Sequence, residues 1–452
     1  MQTRRRFLKT TGAALAGGLV AGTASVKAAQ YCGYSELPSD FVYLNSGTEG
    51  SMPECVLSAF QDGLQTWAGN PTTSYETDPV FGKHQALNRE RVAAFLNVGK
   101  NNICLTDNTT MGLSMTLMGL DLGPGDKVVT TNHEHTAVRS PLRVLQERRG
   151  IEIESRSFPS SVDLRNMNAT QLMESLFPNI SELRGAKALC VSHVYPSTGV
   201  RLPLRLLRRK VDQLNIRYLI VDGAQAMGML DLTAEDDDIR HCDFYACPGH
   251  KWLNAPPSTG VLYIRDDRIR PPEFYPTLSQ RMEKFAACDS DTDDCFPMVE
   301  ALQVRGNTNT PGFAAMVRAM EFVESEGGAS NIESHILDLS RTVKKIILDH
   351  APNSVVSPHA DLALSSGLTV FFPFRWNDPE TVFTDKKTAD WVVAELLKNN
   401  IQIRSIGLWD STSGDDQHVP SFALRVSTAH FNTDDHVATW KNALRDVLSR
   451  IG

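Results

Sequence analysis

Cys247-Pro248-Gly249-His250-Lys251-Trp252-Leu253-Asn254 is the stretch around which the chain is arranged. Lys251 follows the apolar run Phe244-Tyr245-Ala246-Cys247 and precedes Trp252 and the strand-like Gly260-Val261-Leu262-Tyr263-Ile264. Such flanks hold an ammonium group partly out of water, which lowers its pKa and leaves the amine as a nucleophile. An amine of that kind forms a Schiff base with a carbonyl compound. A lysine beside a buried strand is more often a helix-end or interface charge, so the residues upstream have to carry the reading.

Those residues fall in a repeating place. Tyr218-Leu219-Ile220-Val221 reads as a strand ending in Asp222-Gly223-Ala224-Gln225. Ala188–Val194 ends at the turn Tyr195-Pro196-Ser197-Thr198-Gly199, and the strand Lys127–Thr131 ends at Asn132-His133-Glu134-His135. Ile103–Thr106 leads through Asp107-Asn108-Thr109-Thr110-Met111-Gly112 into an apolar helix expected at 113–120. Hydroxyls and unpaired N–H groups at a helix start suit a phosphate, although ordinary capping uses the same residues. Phe41–Leu44 ends in Asn45-Ser46-Gly47-Thr48-Glu49-Gly50, where glycines let the backbone approach a ligand or simply turn. Candidate residues thus cluster just after the carboxyl ends of strands that alternate with helices over residues 40–270. A mostly parallel α/β sheet places its ligand site there. A loop-rich connection is expected at 266–304. After it, Arg305-Gly306-Asn307-Thr308-Asn309-Thr310-Pro311-Gly312 opens a helix, and a smaller α+β domain is expected over 305–452.

The first 28 residues read as an export signal. Thr3-Arg4-Arg5-Arg6-Phe7-Leu8-Lys9 has the twin-arginine pattern, a mildly apolar Ala/Gly run follows, and Val26-Lys27-Ala28 suits cleavage. The run is too short for a permanent membrane span. The expected place is therefore the periplasm, reached folded through the twin-arginine translocase, with the large domain occupying 29–304. Removing residues 1–28 removes five cations and no acid, taking the formal charge from −8 to −13. So acidic a chain, without basic clusters, excludes nucleic acid and anionic membrane as partners. Of the eight cysteines, Cys288 and Cys295 bracket an acidic segment and could close a loop. Cys104, Cys190, Cys242 and Cys247 sit in apolar runs as buried thiols. No cysteine–histidine spacing suggests a metal.

Taken together, the motifs over residues 41–440 resemble those of the class V aminotransferase family, fold-type I enzymes dependent on pyridoxal 5'-phosphate (PLP). The family includes cysteine desulfurases, kynureninase and isopenicillin N epimerase. The resemblance implies a large, mostly parallel seven-stranded sheet domain with a smaller α+β carboxyl-terminal domain. It makes Lys251 the Schiff-base lysine, Asp222 the partner of the pyridinium nitrogen and Gln225 the partner of the ring hydroxyl. His135 becomes the histidine stacked on the ring, and Thr109, Thr110 and His250 become phosphate contacts. Asn307 falls where a second subunit supplies a phosphate contact, which implies a homodimer. Arg425, with Asn45, falls to the substrate, the arginine gripping its carboxylate through a bidentate pair.

Three departures narrow the activity. Pro248 stands where relatives commonly have a phosphate-binding Ser or Thr, and Pro196 where many have an asparagine. No cysteine follows Cys295, and Trp409 lies near the usual catalytic thiol of a desulfurase. The persulfide route is therefore disfavoured. The segments 44–53, 193–203 and 249–253 look most like isopenicillin N epimerase. The twin-arginine signal is similar to that of periplasmic PLP enzymes that tailor a secreted siderophore such as pyoverdine. The expected activity is chemistry at the amino-bearing carbon of an amino-acid or peptide-like metabolite. An aminotransferase or racemase of free amino acids is one alternative, and a non-catalytic amine-binding protein is another.

Overall fold

The computed structural model describes residues 32–34, 36–71, 83–279, 298–408 and 421–451, with side chains omitted at 83–86. Residues 1–28, Cys288, Cys295, Trp409 and much of the 67–80 loop lie outside the described residues, as do the expectations placed on them. Gly33–Gly452 forms one compact unit.

Its centre is a seven-stranded sheet built from β2 (Ile103–Thr106), β3 (Lys127–Thr131), β4 (Glu152–Arg156), β5 (Ala188–Ser192), β6 (Tyr218–Asp222), β7 (Phe244–Pro248) and β8 (Gly260–Ile264). The short β1 (Val42–Tyr43) lies outside it. The order is β2-β8-β7-β6-β5-β3-β4. Strands β5 to β8 are buried at every position, as continuous apolar runs in a sheet covered on both faces must be. Strand β4 is the polar, partly exposed edge. The other edge, β2, is buried because side chains take up its open backbone groups. Leu105 N–H donates to Gln303 Oε1 at 2.9 Å, and Leu105 C=O accepts from Arg305. Gln303 ends α8 (Met298–Gln303), a helix inside what the sequence presented as a loop.

Only β8 runs against the rest. Strand β2 is antiparallel to β8, and β8 to β7, so β2 points the same way as β7. The carboxyl ends of β2, β3, β5, β6 and β7 therefore share one edge of the sheet. Helices α1 (Glu54–Gly69), α2 (Lys83–Phe95), α3 (Thr109–Gly119), α4 (Thr136–Arg149), α5 (Ser161–Leu164), α6 (Ala169–Leu176) and α7 (Leu204–Gln213) precede or connect these strands. Helix α3 starts at Thr109, earlier than the expected 113, because the Asn108 side chain caps it by accepting from Met111 N at 2.9 Å.

Helices α9 (Thr310–Ser325) and α10 (Ala329–Leu348) lead to a three-stranded antiparallel sheet. It consists of β9 (Leu368–Phe371), β13 (Arg404–Leu408) and β14 (Ser421–Ser427), with β14 in the middle. The hairpin β10–β11 (Phe374–Arg375, Asp378–Val382) and the helices α11 (Lys386–Leu397) and α12 (Asp434–Leu448) complete this part. Strand β12 (Ile401–Gln402) pairs in parallel with β1. That pairing, and the bridge from Asn45 to Ser427, bring the 45–50 turn over the end of the central sheet.

Cys104, Cys190, Cys242 and Cys247 are buried free thiols, and Cys32 and Cys55 are each disulfide-bonded.

Candidate active site

Lys251 sits in the turn after β7, locked against the 45–50 turn. Gly50 N–H donates to His250 C=O at 2.8 Å. A Cβ on Gly50 would lie 1.9 Å from the Lys251 carbonyl oxygen and 2.0 Å from Asn254 Oδ1. Nothing but glycine fits between these two segments. Burial holds the Lys251 ammonium down to a pKa of about 8, opposed by the charge of Asp222 and assisted by Arg425 and Arg404. At neutral pH an appreciable fraction of the amine is uncharged, as nucleophilic attack needs.

Asp222 closes β6 and is 2% exposed. Burial raises its pKa, while a hydrogen bond from Ala224 N at 2.8 Å and the charges of Lys251 and His135 oppose the rise. His135 caps α4, its Nδ1 accepting from Ala137 N at 3.2 Å. That bond places the ring proton on Nε2. Burial lowers the histidine's pKa, against the pull of Asp222.

Thr109 and Thr110 form the first turn of α3. Thr110 is exposed, whereas the Thr109 hydroxyl is buried with no hydrogen-bond partner. His250 Nδ1 is likewise buried and unpartnered, and burial lowers that ring's pKa. An orphaned hydroxyl at a helix N-terminus is what a bound phosphate would satisfy. Asn307 is exposed in the loop before α9.

Gln225 is more engaged than its sequence context implies. Its Oε1 accepts from Trp252 Nε1 at 2.8 Å, and its Nε2 donates to Gly47 C=O at 2.8 Å. One amide hydrogen remains for a ligand hydroxyl. The amide also ties the 45–50 turn to the residue after Lys251.

Arg425 is 2% exposed in β14, directly across from Arg404 in β13. Its Nη2 donates to Thr48 Oγ1 at 2.8 Å and its Nη1 to the Pro196 carbonyl at 3.4 Å, while Nε has no partner. Burial and the Arg404 charge push its pKa down to about 9, which still leaves a cation at neutral pH. No carboxylate of the described residues is paired with it. A buried guanidinium with only neutral oxygens around it is set up for an incoming carboxylate. Pro196, which lacks the side-chain donor of an asparagine, contributes its carbonyl here. Asn45 is buried and reaches Arg425 indirectly, since its Oδ1 accepts from Thr48 Oγ1 at 2.8 Å.

Three contributors were not singled out by the sequence. Thr48 joins Asn45, Arg425 and Arg404, whose Nη1 lies 3.1 Å from the Thr48 hydroxyl. Trp252 fixes Gln225. Glu134 is buried beneath His135, where Thr131 Oγ1 (2.7 Å), Tyr195 OH (2.9 Å) and Ser192 Oγ (2.6 Å) all donate to its carboxyl. Burial raises Glu134 to a pKa of about 7 despite these donors, and the nearby Asp222 adds to the rise.

The family model for aminotransferase class V matches residues 42–438. The chain belongs to this family. Among curated relatives, isopenicillin N epimerase from Streptomyces clavuligerus is 24% identical over 411 residues, covering 89% of this chain and 94% of that protein. The enzyme of the same name from Amycolatopsis lactamdurans is 28% identical over 427 residues, with the same coverage. A probable cysteine desulfurase from Pyrococcus abyssi is 23% identical over 296 residues, covering 64% of this chain and 69% of that protein. Among solved structures, a lysine-to-alanine mutant of C-DES with glycine covalently linked to its PLP cofactor superimposes with a TM-score of 0.72. It is 22% identical and covers 91% of this chain and 98% of its own. The fold is therefore that of the fold-type I enzymes, with the large, mostly parallel seven-stranded sheet that the motifs implied.

Proposed function

We propose that this class V protein is a PLP-dependent enzyme acting at the amino-bearing carbon of an amino-acid or peptide-like metabolite. It works as a homodimer in the periplasm, exported folded, and tailors a secreted compound such as a siderophore. The observation that carries the chemistry is one sheet edge that joins a low-pKa amine, Lys251, to a buried acid, Asp222, beside the acid-free guanidinium of Arg425. The cofactor is PLP. When bound, it supplies an aldehyde carbon and a ring that accepts the electron pair of a bond broken at the substrate's amino carbon.

The chain's own groups divide the remaining work. Asp222 would hold a proton at the ring nitrogen, and His135 would cover the ring. Thr109, His250 and the start of α3 would hold the phosphate. Arg425, steadied by Thr48, orients the substrate carboxylate. The Lys251 amine would serve as the base for the α-proton. With no cysteine after Cys295, the chain lacks a thiol in the segment where a persulfide would form.

The test starts with the absorbance spectrum of the purified protein, then borohydride reduction and peptide mapping for a pyridoxyl group on Lys251. Incubation with siderophore precursors, peptides and free amino acids follows. Rapid turnover of free amino acids with no change in any precursor would replace tailoring by the aminotransferase or racemase reading. A protein that stays colourless and unmodified after added PLP would leave amine binding without catalysis.

A further inference from the structure

Far along the chain from the Lys251 turn, α10 covers a cavity of about 200 Å³ against the 359–365 segment. None of the residues discussed at the Lys251 site lines it. Leu337, Leu348 and Leu362 give it apolar walls, and Lys344 and His359 supply the polar groups inside. Lys344 is 4% exposed and has no hydrogen-bond or ion-pair acceptor among the described residues. His359 Nδ1 is buried and also unpartnered. Of the other charges on the wall, Lys345 and Asp349 neutralise one another at 2.5 Å, and Arg341 is held by Asp338 at 2.6 Å.

One cation is left facing the cavity without an anion. Isolated buried charge is costly, and a lysine in this position normally lies against a carboxylate. Burial, then the Arg341 charge, pushes the Lys344 ammonium down to about 7. Burial likewise lowers the His359 ring, a hydrogen bond with the Ser357 backbone opposes this, and the charges of Arg165 and Lys344 add to the lowering. The volume exceeds the roughly 150 Å³ that suffices for a benzene molecule in an apolar cavity. A single ring, or a branched chain of similar size, fits with a carboxylate attached.

We propose that this cavity is a second ligand site, taking a compact aromatic or branched aliphatic carboxylate whose anionic group meets Lys344 and His359 while its body fills the leucine-lined wall.

Benzoate and its neutral counterpart benzamide are suitable probes, titrated calorimetrically into the intact, cofactor-loaded protein. Because Arg425 also receives carboxylates, the titration is repeated in R425L. Saturable benzoate binding should persist in R425L and exceed benzamide binding by about tenfold or more, one decade being ~1.4 kcal/mol. K344M should abolish that preference without altering the cofactor spectrum. In the unsubstituted protein, benzoate and not benzamide should slow acetylation of Lys344, read by peptide mass, so the conclusion does not hang on one variant. Equal binding of the two probes, benzoate binding unchanged by K344M, or acetylation unaffected by benzoate would each overturn the assignment.

Discussion

Glu134 makes stability depend on pH in the direction opposite to most carboxylates, and the size of the effect follows from its surroundings. Three hydroxyls donate to it, which favours the carboxylate, yet full burial outweighs them and lifts the pKa from 4.5 to about 7. Between those values the folded chain keeps a proton that the unfolded chain has released. Stability from this group is therefore complete below pH 4.5 and is lost as pH rises through 7. At about 1.36 kcal/mol per pH unit the whole loss is about 3 kcal/mol, of which about 2.5 kcal/mol falls between pH 5 and pH 8. Glu134→Gln closely copies the protonated side chain in shape and carries no charge at any pH. Urea unfolding of the cofactor-free protein and this variant at both pH values isolates the term, because every other titrating group is shared. The variant should gain about 2.5 kcal/mol on the parent between pH 5 and pH 8. Glu134→Ala, which leaves three buried hydroxyls without their acceptor, should lose about 1–3 kcal/mol at pH 5 and, lacking the carboxyl too, should recover about the same 2.5 kcal/mol on the parent by pH 8. If Glu134→Gln differs from the parent by the same amount at pH 5 and pH 8, burial does not dominate this site and the reasoning is wrong.

Other outcomes follow from the same geometry. The rate at which the cofactor-free protein captures PLP should rise with pH and level off above about 8, following the neutral Lys251 amine; Asp222→Asn, by removing the charge that opposes the shift, should move the half-point to lower pH. Arg425→Leu should raise KM for carboxylate substrates by about tenfold to a hundredfold, the value of a charge-assisted pair, and should leave a matched amide unaffected. The same variant should unfold at a higher urea concentration without substrate, since it removes a buried cation that no acid balances. Gly50→Ala should destabilise by about 1–3 kcal/mol, as overpacking does, and should weaken PLP retention by displacing the Lys251 turn. Gly69→Ala is the control: its Cβ meets nothing within 4 Å, and alanine should add about 0.4–1 kcal/mol by restricting the unfolded chain.

What was legible in the sequence was whatever the backbone alone determines. Fully buried strands leave uninterrupted apolar runs, so their ends, and with them Asp222, His135 and Lys251, stand out as the places where polarity returns. Reversal of β8 is not legible, because a buried strand reads the same in either direction. Helix α8 is not legible either, because six residues are too few to show a helical period. Glu134 lies between two histidines in a polar tripeptide, and only the fold decides which of the three points inward. The convergence on Thr48 is legible least of all. Thr48 lies hundreds of residues before Arg404 and Arg425 and shares no pattern with them, and the two arginines meet because β13 sets Arg404 across from Arg425. Their meeting has a consequence for catalysis. Without substrate, two guanidinium groups are held together by one hydroxyl, an arrangement that ordinary repulsion opposes. An arriving carboxylate removes that repulsion, so part of the binding energy at Arg425 comes from relief within the protein. Arg404→Gln should therefore weaken substrate binding even where Arg404 makes no contact with substrate, and the loss should shrink as salt is raised. A loss independent of salt would mean that Arg404 acts by contact instead.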